Sequence, residues 1–304
     1  MVLGATSSIF GQGATTSTMN GKVTDADGAS LPLVTVQAIH EPTGTMYGTV
    51  ANDDGKFFIP NMRAGGPYKV IASYVGFEDA TQTGVFLTLG QTYKVNLSMS
   101  ETDIVLEQVI VTATSGDIFD GNRTGAETYV SEEAISALPT VDRNFLQDFA
   151  RLDPRTSPSQ KGNANGGGLS VAGMNNRYNA IFFDGAVNND VFGLANSGTN
   201  GGQAGITPIS PDAIEQISIV LAPYDVTYGG FAGASINAVT RSGTNNFEGS
   251  VYGFYKDENF AGKTAGEDLE VREKLAPFTS YTTGLRLGGP LIKNKLFFFA
   301  NLEI

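Results

Sequence analysis

The chain of 304 residues has no cysteine, no tryptophan and a single histidine, His40. Without cysteine there is no disulfide framework, no thiolate metal site and no thiol nucleophile. One histidine leaves nothing to build a multi-histidine metal centre and argues against a Ser-His-Asp triad. His40 stands beside Glu41 and Pro42 at an expected strand end, where a solvated loop position is the expectation. No pattern of catalytic, metal-ligating or cofactor-holding residues stands out. Basic residues are scarce as well: 19 Lys and Arg against 31 Asp and Glu give a net charge of −12. No basic stripe forms, so nucleic acid is not an expected partner. Long hydrophobic runs are also missing. No stretch of 18 apolar residues marks a membrane-spanning helix, although barrel strands leave a much weaker signal and stay open. Residues 1–19 begin MVLGATSSIFGQG, without the basic n-region and full h-region of a secretory signal. They read either as the remnant of such a signal, with the true start upstream, or as a disordered leader.

What the chain has in quantity is glycine, 38 residues, accompanied by Asn, Thr and Ser. That favours turns and strands over helical bundles. From 20 to 100 the pattern is all-β. Val34, Val36 and Ala38 alternate with Thr35 and Gln37, and the turn signals Asp25-Ala26-Asp27-Gly28 and Asn52-Asp53-Asp54-Gly55 separate short runs. About seven strands with regular turns argue a small β-sandwich. The acidic turns fall short of the six to eight oxygens that calcium takes, so turn chemistry accounts for them.

Residues 101–125 form a boundary. Ile104 to Thr114 is strongly β-prone between polar flanks. It reads either as the last edge strand of the sandwich or as a linker able to become a strand.

Residues 126–243 mix short helices and strands. Thr128 to Val130 is a strand candidate, and a helix runs from Ser131 to about Leu138, where Pro139 stops it. A second helix is expected over 143–150, from Phe145, Leu146 and Phe149 on one face. A glycine-rich loop at 162–168 precedes two strands, 169–173 and 180–185. A long Asn- and Gly-rich loop follows at 188–207, of a length that is usually functional or disordered. Pro211 and Asp212 suit a helix start. Ile217, Ile219 and Leu221 then alternate with Ser218 and Val220, as in a strand buried mainly on one face. Tyr228-Gly229-Gly230 permits a tight turn, and 234–240 is a further strand.

From 244 to 304 the strands lengthen. Leu296, Phe298, Ala300, Leu302 and Ile304 share one face, Asn301 and Glu303 the other, with Phe297 and Phe299 nearer the turn. Apolar-out, polar-in strands of about ten residues are the signature of a transmembrane barrel. A long acidic connection at 256–278 and a short turn at 288–295 fit opposite ends of such a barrel. Three strands cannot close one, and an open edge is not viable in lipid; the expectation is a barrel whose remaining strands lie beyond this sequence.

Several groups of residues resemble known families. G-K-V-T-D at 21–25, L-P-L-V-T-V at 31–36, D-G-K-F-F-I at 54–59 and Y-V-G-F at 74–77 resemble the carboxypeptidase regulatory-like domain, an Ig-like sandwich. That name implies no catalysis here, since the zinc-ligand histidines are missing. Asp212, Ile214, Glu215, Ile217, Tyr228, Gly229, Ile236, Asn237, Thr240 and Arg241 resemble the closing unit of the plug domain of TonB-dependent outer-membrane receptors. Gly173, Asp184 and Gly185 match the plug signature, with Ala172 where the family usually has arginine. The salt bridge that arginine often makes is therefore not expected. Gln108, Val109, Ile110, Val111, Thr112 and Ala113 resemble the TonB box, a short segment able to pair with a partner's sheet edge. R-S-G-T-N at 241–245, F-E-G-S at 247–250 and G-G-P-L-I-K-N-K-L-F-F-F at 288–299 resemble Oar-like and SusC-like receptors of Bacteroidetes type.

The resemblance implies a β-rich multidomain chain: a leader (1–19), an Ig-like β-sandwich (20–100), a linker with the box (101–125), an α+β plug (126–243) and the first barrel strands (244–304). It implies no enzymatic activity and no cofactor. It implies energised transport across the outer membrane, with sandwich and box in the periplasm. The implied partners are TonB with its inner-membrane energising proteins, outer-membrane lipid, an extracellular peptide, protein, glycan or chelate, and a surface lipoprotein. Asn188, Asn189, Phe192, Asn196 and Asn200 are candidates for facing that ligand. Two other classes remain open: a receptor whose sandwich relays a signal, and a carbohydrate- or protein-binding surface module.

Overall fold

The structure, a computed structural model, describes residues 13–101, 110–112, 126–137, 153–158, 168–195, 197–202, 208–221, 229–262, 274 and 276–304. The helix expected over 143–150 lies outside them, as do Gln108, Val109, Ala113, Asn196 and Tyr228. The chain divides into two compact units, residues 1–241 and 242–304.

Alternation of apolar and polar residues builds the sandwich. Strands β1 (Thr16–Asp25), β4 (Lys56–Arg63) and β7 (Thr92–Met99) form a three-stranded sheet in the order β4-β1-β7, with β1 antiparallel to β4 and parallel to β7. The facing five-stranded sheet runs β3 (Thr45–Val50), β2 (Thr35–His40), β5 (Gly65–Ser73), β6 (Ala80–Leu87) and β8 (Ile110–Thr112). Between them Met19, Val23, Val36, Ile59, Val70, Val85 and Leu97 are buried in one core. The turn between β3 and β4 falls where the sequence places it, but it is not a hairpin: β3 pairs with β2 and β4 with β1, so the turn carries the chain from one sheet to the other. Asn52 Oδ1 accepts from the N–H groups of Asp54 and Lys56, and Gly55 (φ +73°) passes so close to Val23 that a Cβ would lie 2.5 Å from its carbonyl oxygen. At the first turn, Asp25 Oδ1 accepts from the N–H groups of Asp27 and Ala29, the work of a turn carboxylate.

His40 departs from the expected solvated position. It is 2% exposed, packed on Tyr68 at a ring distance of 4.9 Å, with Nδ1 2.7 Å from Thr43 Oγ1. The imidazole ends β2 on its inward face, and the turn that follows folds Thr43 back over it. Local sequence could not show that closure.

A third sheet runs β13 (Ala186–Val187), β12 (Ala180–Phe183), β15 (Ala234–Thr240), β14 (Ile214–Leu221) and β9 (Ala126–Val130), with β12 and β15 parallel and the other pairs antiparallel. Beside it lie helix α1 (Glu132–Ala137), entered through the Ser131 hydroxyl, which accepts from Ala134 N–H, and the short pair β10 (Thr156–Pro158) and β11 (Leu169–Val171). Two features correct the expectations. The helix start at Pro211 is a single 3₁₀ turn, Pro211–Ala213. Strand β14 is buried on both faces from Ile217 onward, because it sits inside the sheet with cover on each side. Ile217, Ile219 and Leu221 pack with Val130, Ile181 and Ile236. Ser218 on the other face receives the amide of Asn237, while Gly13, ahead of β1, lies against Asn237 and Phe182.

The second unit is an antiparallel meander of β16 (Glu248–Asp257), β17 (Thr279–Ile292) and β18 (Leu296–Glu303). Gly288 to Ile292, read in the sequence as part of a turn, belongs to β17, and the turn proper is Lys293-Asn294-Lys295. Register explains the glycines there: Phe247 covers Gly289, and a Cβ on Gly243 would lie 2.7 Å from the Gly289 carbonyl. Asn245 and Asn294 clasp the turn to the start of the unit, each amide oxygen accepting from the other residue. Val251, Leu285 and Leu302 lie side by side across the three strands and are exposed, on the same face as Phe247, Tyr255, Tyr281, Leu287 and Ala300.

Candidate functional site

Three of the six candidate box residues are described. Ile110, Val111 and Thr112 form β8, paired in parallel with Thr81, Gln82 and Thr83 of β6. The segment is thus an outer strand of the sandwich's five-stranded sheet.

The candidate plug signature is a pair of tight turns. Asp184 and Gly185 both have positive φ (48° and 80°) and join β12 to β13, the geometry of a two-residue hairpin loop. The Asp184 carboxylate ties this hairpin to the end of β15: Oδ1 accepts from Thr240 N–H and Oδ2 from Thr240 Oγ1, each at 2.8 Å. Gly185 leaves room for Thr15, whose methyl a Cβ would approach to 2.9 Å. Ala172 and Gly173 make a second such turn, with φ of 50° and 78°, closed by Val171 and Met174. Ala172 therefore occupies backbone that favours glycine. Gly229 sits in open space with Gly230 (φ +82°) beside it. Asn237 is buried in the sheet, donating to Ser218 and Ser235.

The long loop is ordered where it is described. Asn189 acts inside the fold: its Oδ1 accepts from Ile181 N–H and its Nδ2 donates to the Asn179 carbonyl, each at 2.7 Å. Asn200 donates to Asn188 Oδ1. At the tip, Val191, Phe192 and Leu194 stand exposed around Asp190. The N–H of Ala195 above all, outweighing desolvation and helped by those of Phe192, Leu194 and Gly193, holds the Asp190 carboxyl below the usual carboxylate range. Arg177 braces the same tip by donating to the Gly193 carbonyl. Of the candidate ligand-facing residues that are described, Phe192 and Asn200 are exposed and Asn188 is half-buried, whereas the amide of Asn189 is engaged with backbone.

Two arrangements escaped the sequence. Asp153 is fully buried, and Arg155 reaches both its oxygens, Nε to Oδ1 at 2.9 Å and Nη2 to Oδ2 at 2.6 Å; Thr128 Oγ1 adds a third bond. Burial pushes this carboxyl up, but the bonds from Arg155 and Thr128 outweigh it and hold it below the ordinary range. The only local signal is Asp-Pro-Arg, a turn tripeptide. The second arrangement joins sandwich to plug. Arg63 Nη2 meets Glu215 Oε2, Gln216 Oε1 accepts from Leu89 N–H, and Gln91 Nε2 lies 3.4 Å from Glu127 Oε2. Glu215 was visible as a motif member, but its partner lies 152 positions away.

Among the described residues no cluster of three or more His, Asp or Glu is arranged to hold a metal. Among the described residues no helix is long and apolar enough to cross a membrane, which leaves strands unaddressed. Family comparisons match three regions in succession. Residues 18–100 match the carboxypeptidase regulatory-like domain, 121–236 the TonB-dependent receptor plug domain, and 239–304 an outer membrane beta barrel domain.

In this order the three matched regions are the sandwich, plug and first barrel part of a TonB-dependent receptor. It is similar to the TonB-dependent transporter Oar of Myxococcus xanthus, with 27% identity over 300 residues, covering 94% of this chain and 26% of that protein. The chain thus spans about a quarter of that relative's length. Solved structures similar to it include the siderophore receptor PirA from Acinetobacter baumannii (22% identity, 58% of this chain and 24% of that one, TM-score 0.43). The outer membrane transporter YddB from Escherichia coli is another (19% identity, 58% and 26%, TM-score 0.42). The β-rich multidomain architecture of sandwich, plug and barrel strands is that of the family.

Proposed function

We propose that the protein is an outer-membrane transporter energised by TonB. It binds an extracellular ligand and admits it through the barrel when the plug is remodelled. The observation that carries this reading is the three-stranded meander that follows the plug: its apolar face, with Val251, Leu285 and Leu302 abreast, is exposed as a lipid-facing surface would be. The sandwich and segment 108–113 belong in the periplasm on this reading, and TonB with its inner-membrane energising proteins grips that segment as a strand. The ligand class is a peptide or protein, a glycan or a chelate, with a surface lipoprotein as an accessory on the outside. Asp184, Gly185, Asn237 and the other signature residues serve the plug's architecture and not chemistry, so the reading assigns no enzymatic step.

Uptake of labelled oligopeptide, glycan and metal-chelate panels, in cells with and without the receptor, tests the reading and finds the cargo. Deleting residues 108–113 is expected to abolish that uptake while surface binding of the same probe persists. Uptake that survives the deletion would sink the mechanism. The signalling alternative predicts instead that deleting 20–99 spares uptake and silences a transcriptional response.

A further inference from the structure

The three-stranded sheet of the sandwich sends Met19, Val23, Ile59 and Leu97 into the core, so alternate residues of β1, β4 and β7 face outward. Register sets these in rows across the sheet. Phe58, Asn20 and Lys94 lie abreast, and Lys56, Lys22 and Asn96 form the next row. Thr24 and Ser98 follow. No Asp or Glu stands on this face of the three strands, although the chain carries 31 of them against 19 Lys and Arg. The outward face of the other sheet is different in kind: there Lys69 stands opposite Ile39, with Ile71 beside it.

The arrangement works against stability. Lys22 and Lys56 are direct cross-strand partners, and like charges so placed repel. Lys56 reaches Asp54 in the adjoining turn at 3.5 Å, but both groups are more than half exposed, so the pair offsets little. Phe58 stands 56% exposed among these polar neighbours. Asn96 Oδ1 accepts from Lys22 N–H at 3.2 Å, which leaves the amide nitrogen as a donor. Together these residues line a groove of about 720 Å³, within the range of small-ligand sites.

We propose that this groove binds a carboxylate-bearing oligosaccharide. Phe58 offers an apolar face to the C–H side of a sugar ring, Asn20 and Asn96 offer amides to its hydroxyls, and Lys22, Lys56 and Lys94 offer ammonium groups to its carboxylates. The backbone of β1 is paired on both sides, so recognition on this face falls to side chains. An acidic peptide laid here cannot extend the sheet, and it finds one aromatic where its own apolar side chains need pockets. A lipid surface is flat, whereas the groove is concave. Because the chain as a whole carries a charge of −12, attraction for an anion is confined to this face and weakens with salt. The sandwich thereby has a ligand of its own, and the site asks nothing of the plug or the barrel strands.

The probe is tetragalacturonate, titrated by calorimetry into the full-length receptor in detergent, with its neutral methyl ester and a tetraglutamate peptide alongside. The acid is expected to bind, and the ester and the peptide to bind at least roughly tenfold more weakly. The pair Lys22→Gln with Lys94→Gln, and separately Phe58→Ala, should each weaken binding of the acid roughly five- to tenfold. Lys69→Gln on the other sheet should leave it unchanged. Lys22→Gln alone should raise the melting temperature slightly, since it removes a repulsion, and this separates loss of a ligand group from loss of fold. Absence of binding, equal binding of the ester, or tetraglutamate binding with the same sensitivity to the variants overturns the proposal. Binding that survives both the lysine pair and Phe58→Ala also overturns it, by placing the sugar elsewhere in the receptor. The transport reading is untouched by any of these results, because it stands or falls on the uptake that deletion of 108–113 removes.

Discussion

Arg63, at the end of β4 in the sandwich, and Glu215, at the start of β14 in the plug, face each other with Nη2 2.7 Å from Oε2. Both side chains are largely covered, and Gly65 (φ +97°) passes close enough that a Cβ would lie 2.8 Å from Glu215 Oε1. The pair is therefore held at a junction from which water is mostly excluded, together with Gln216 on Leu87 and Leu89.

A double-mutant cycle on Arg63→Ala and Glu215→Ala should return a coupling of about 1–2 kcal/mol in thermal unfolding of this unit. That exceeds an exposed ion pair and falls short of a fully buried one. Additive single effects would show that the pair contributes nothing to the junction.

The His40 imidazole is pushed down to about 4, by burial first and by the nearby Arg63 charge second. The unfolded chain has the ordinary value of 6.5, so it takes up the proton first as pH falls. The contribution to stability is complete above about pH 6.5 and is lost progressively toward pH 4, at most roughly 3 kcal/mol. Chemical denaturation between pH 7.5 and 4.5 should show this slope, and His40→Gln should flatten it.

Asp153→Asn removes the anion that Arg155 clasps. The expected loss is about 2–3 kcal/mol, toward the low end for a broken buried pair because the Arg155 side chain remains 35% exposed. Since the folded carboxyl titrates below its unfolded counterpart, its contribution is present above about pH 4 and lost below it. The wild-type protein should therefore lose stability under acid conditions that leave Asp153→Asn comparatively unchanged.

Leu285 lies at the centre of the exposed apolar face, between Val251 and Leu302. Leu285→Arg should destabilise the receptor in bilayers by up to about 2–4 kcal/mol, depending on depth, whereas a polar change at Thr282 on the opposite face should be mild. Urea-induced unfolding in liposomes reads the difference. Equal effects at the two positions would remove the assignment of the lipid face.

Local chemistry made much of this protein readable. Turn residues at 52–55 and at Asp184-Gly185 specify their turns through short-range hydrogen bonds and positive φ, which depend on neighbours only, although only the second turn joins two paired strands. The alternation over Leu296 to Ile304 assigns strand and faces because side chains of a strand must point to opposite sides.

What only the tertiary structure decided involves groups far apart in the chain. Burial of His40, cover on both faces of β14, the clasp of Asp153 by Arg155 with Thr128, and the Arg63–Glu215 contact each depend on which elements come to lie beside which. The segment 108–113 shows the division most plainly. Its β-branched residues declare that it will be extended, but a strand satisfies its backbone on whichever edge it meets, and only the fold shows Ile110, Val111 and Thr112 on β6.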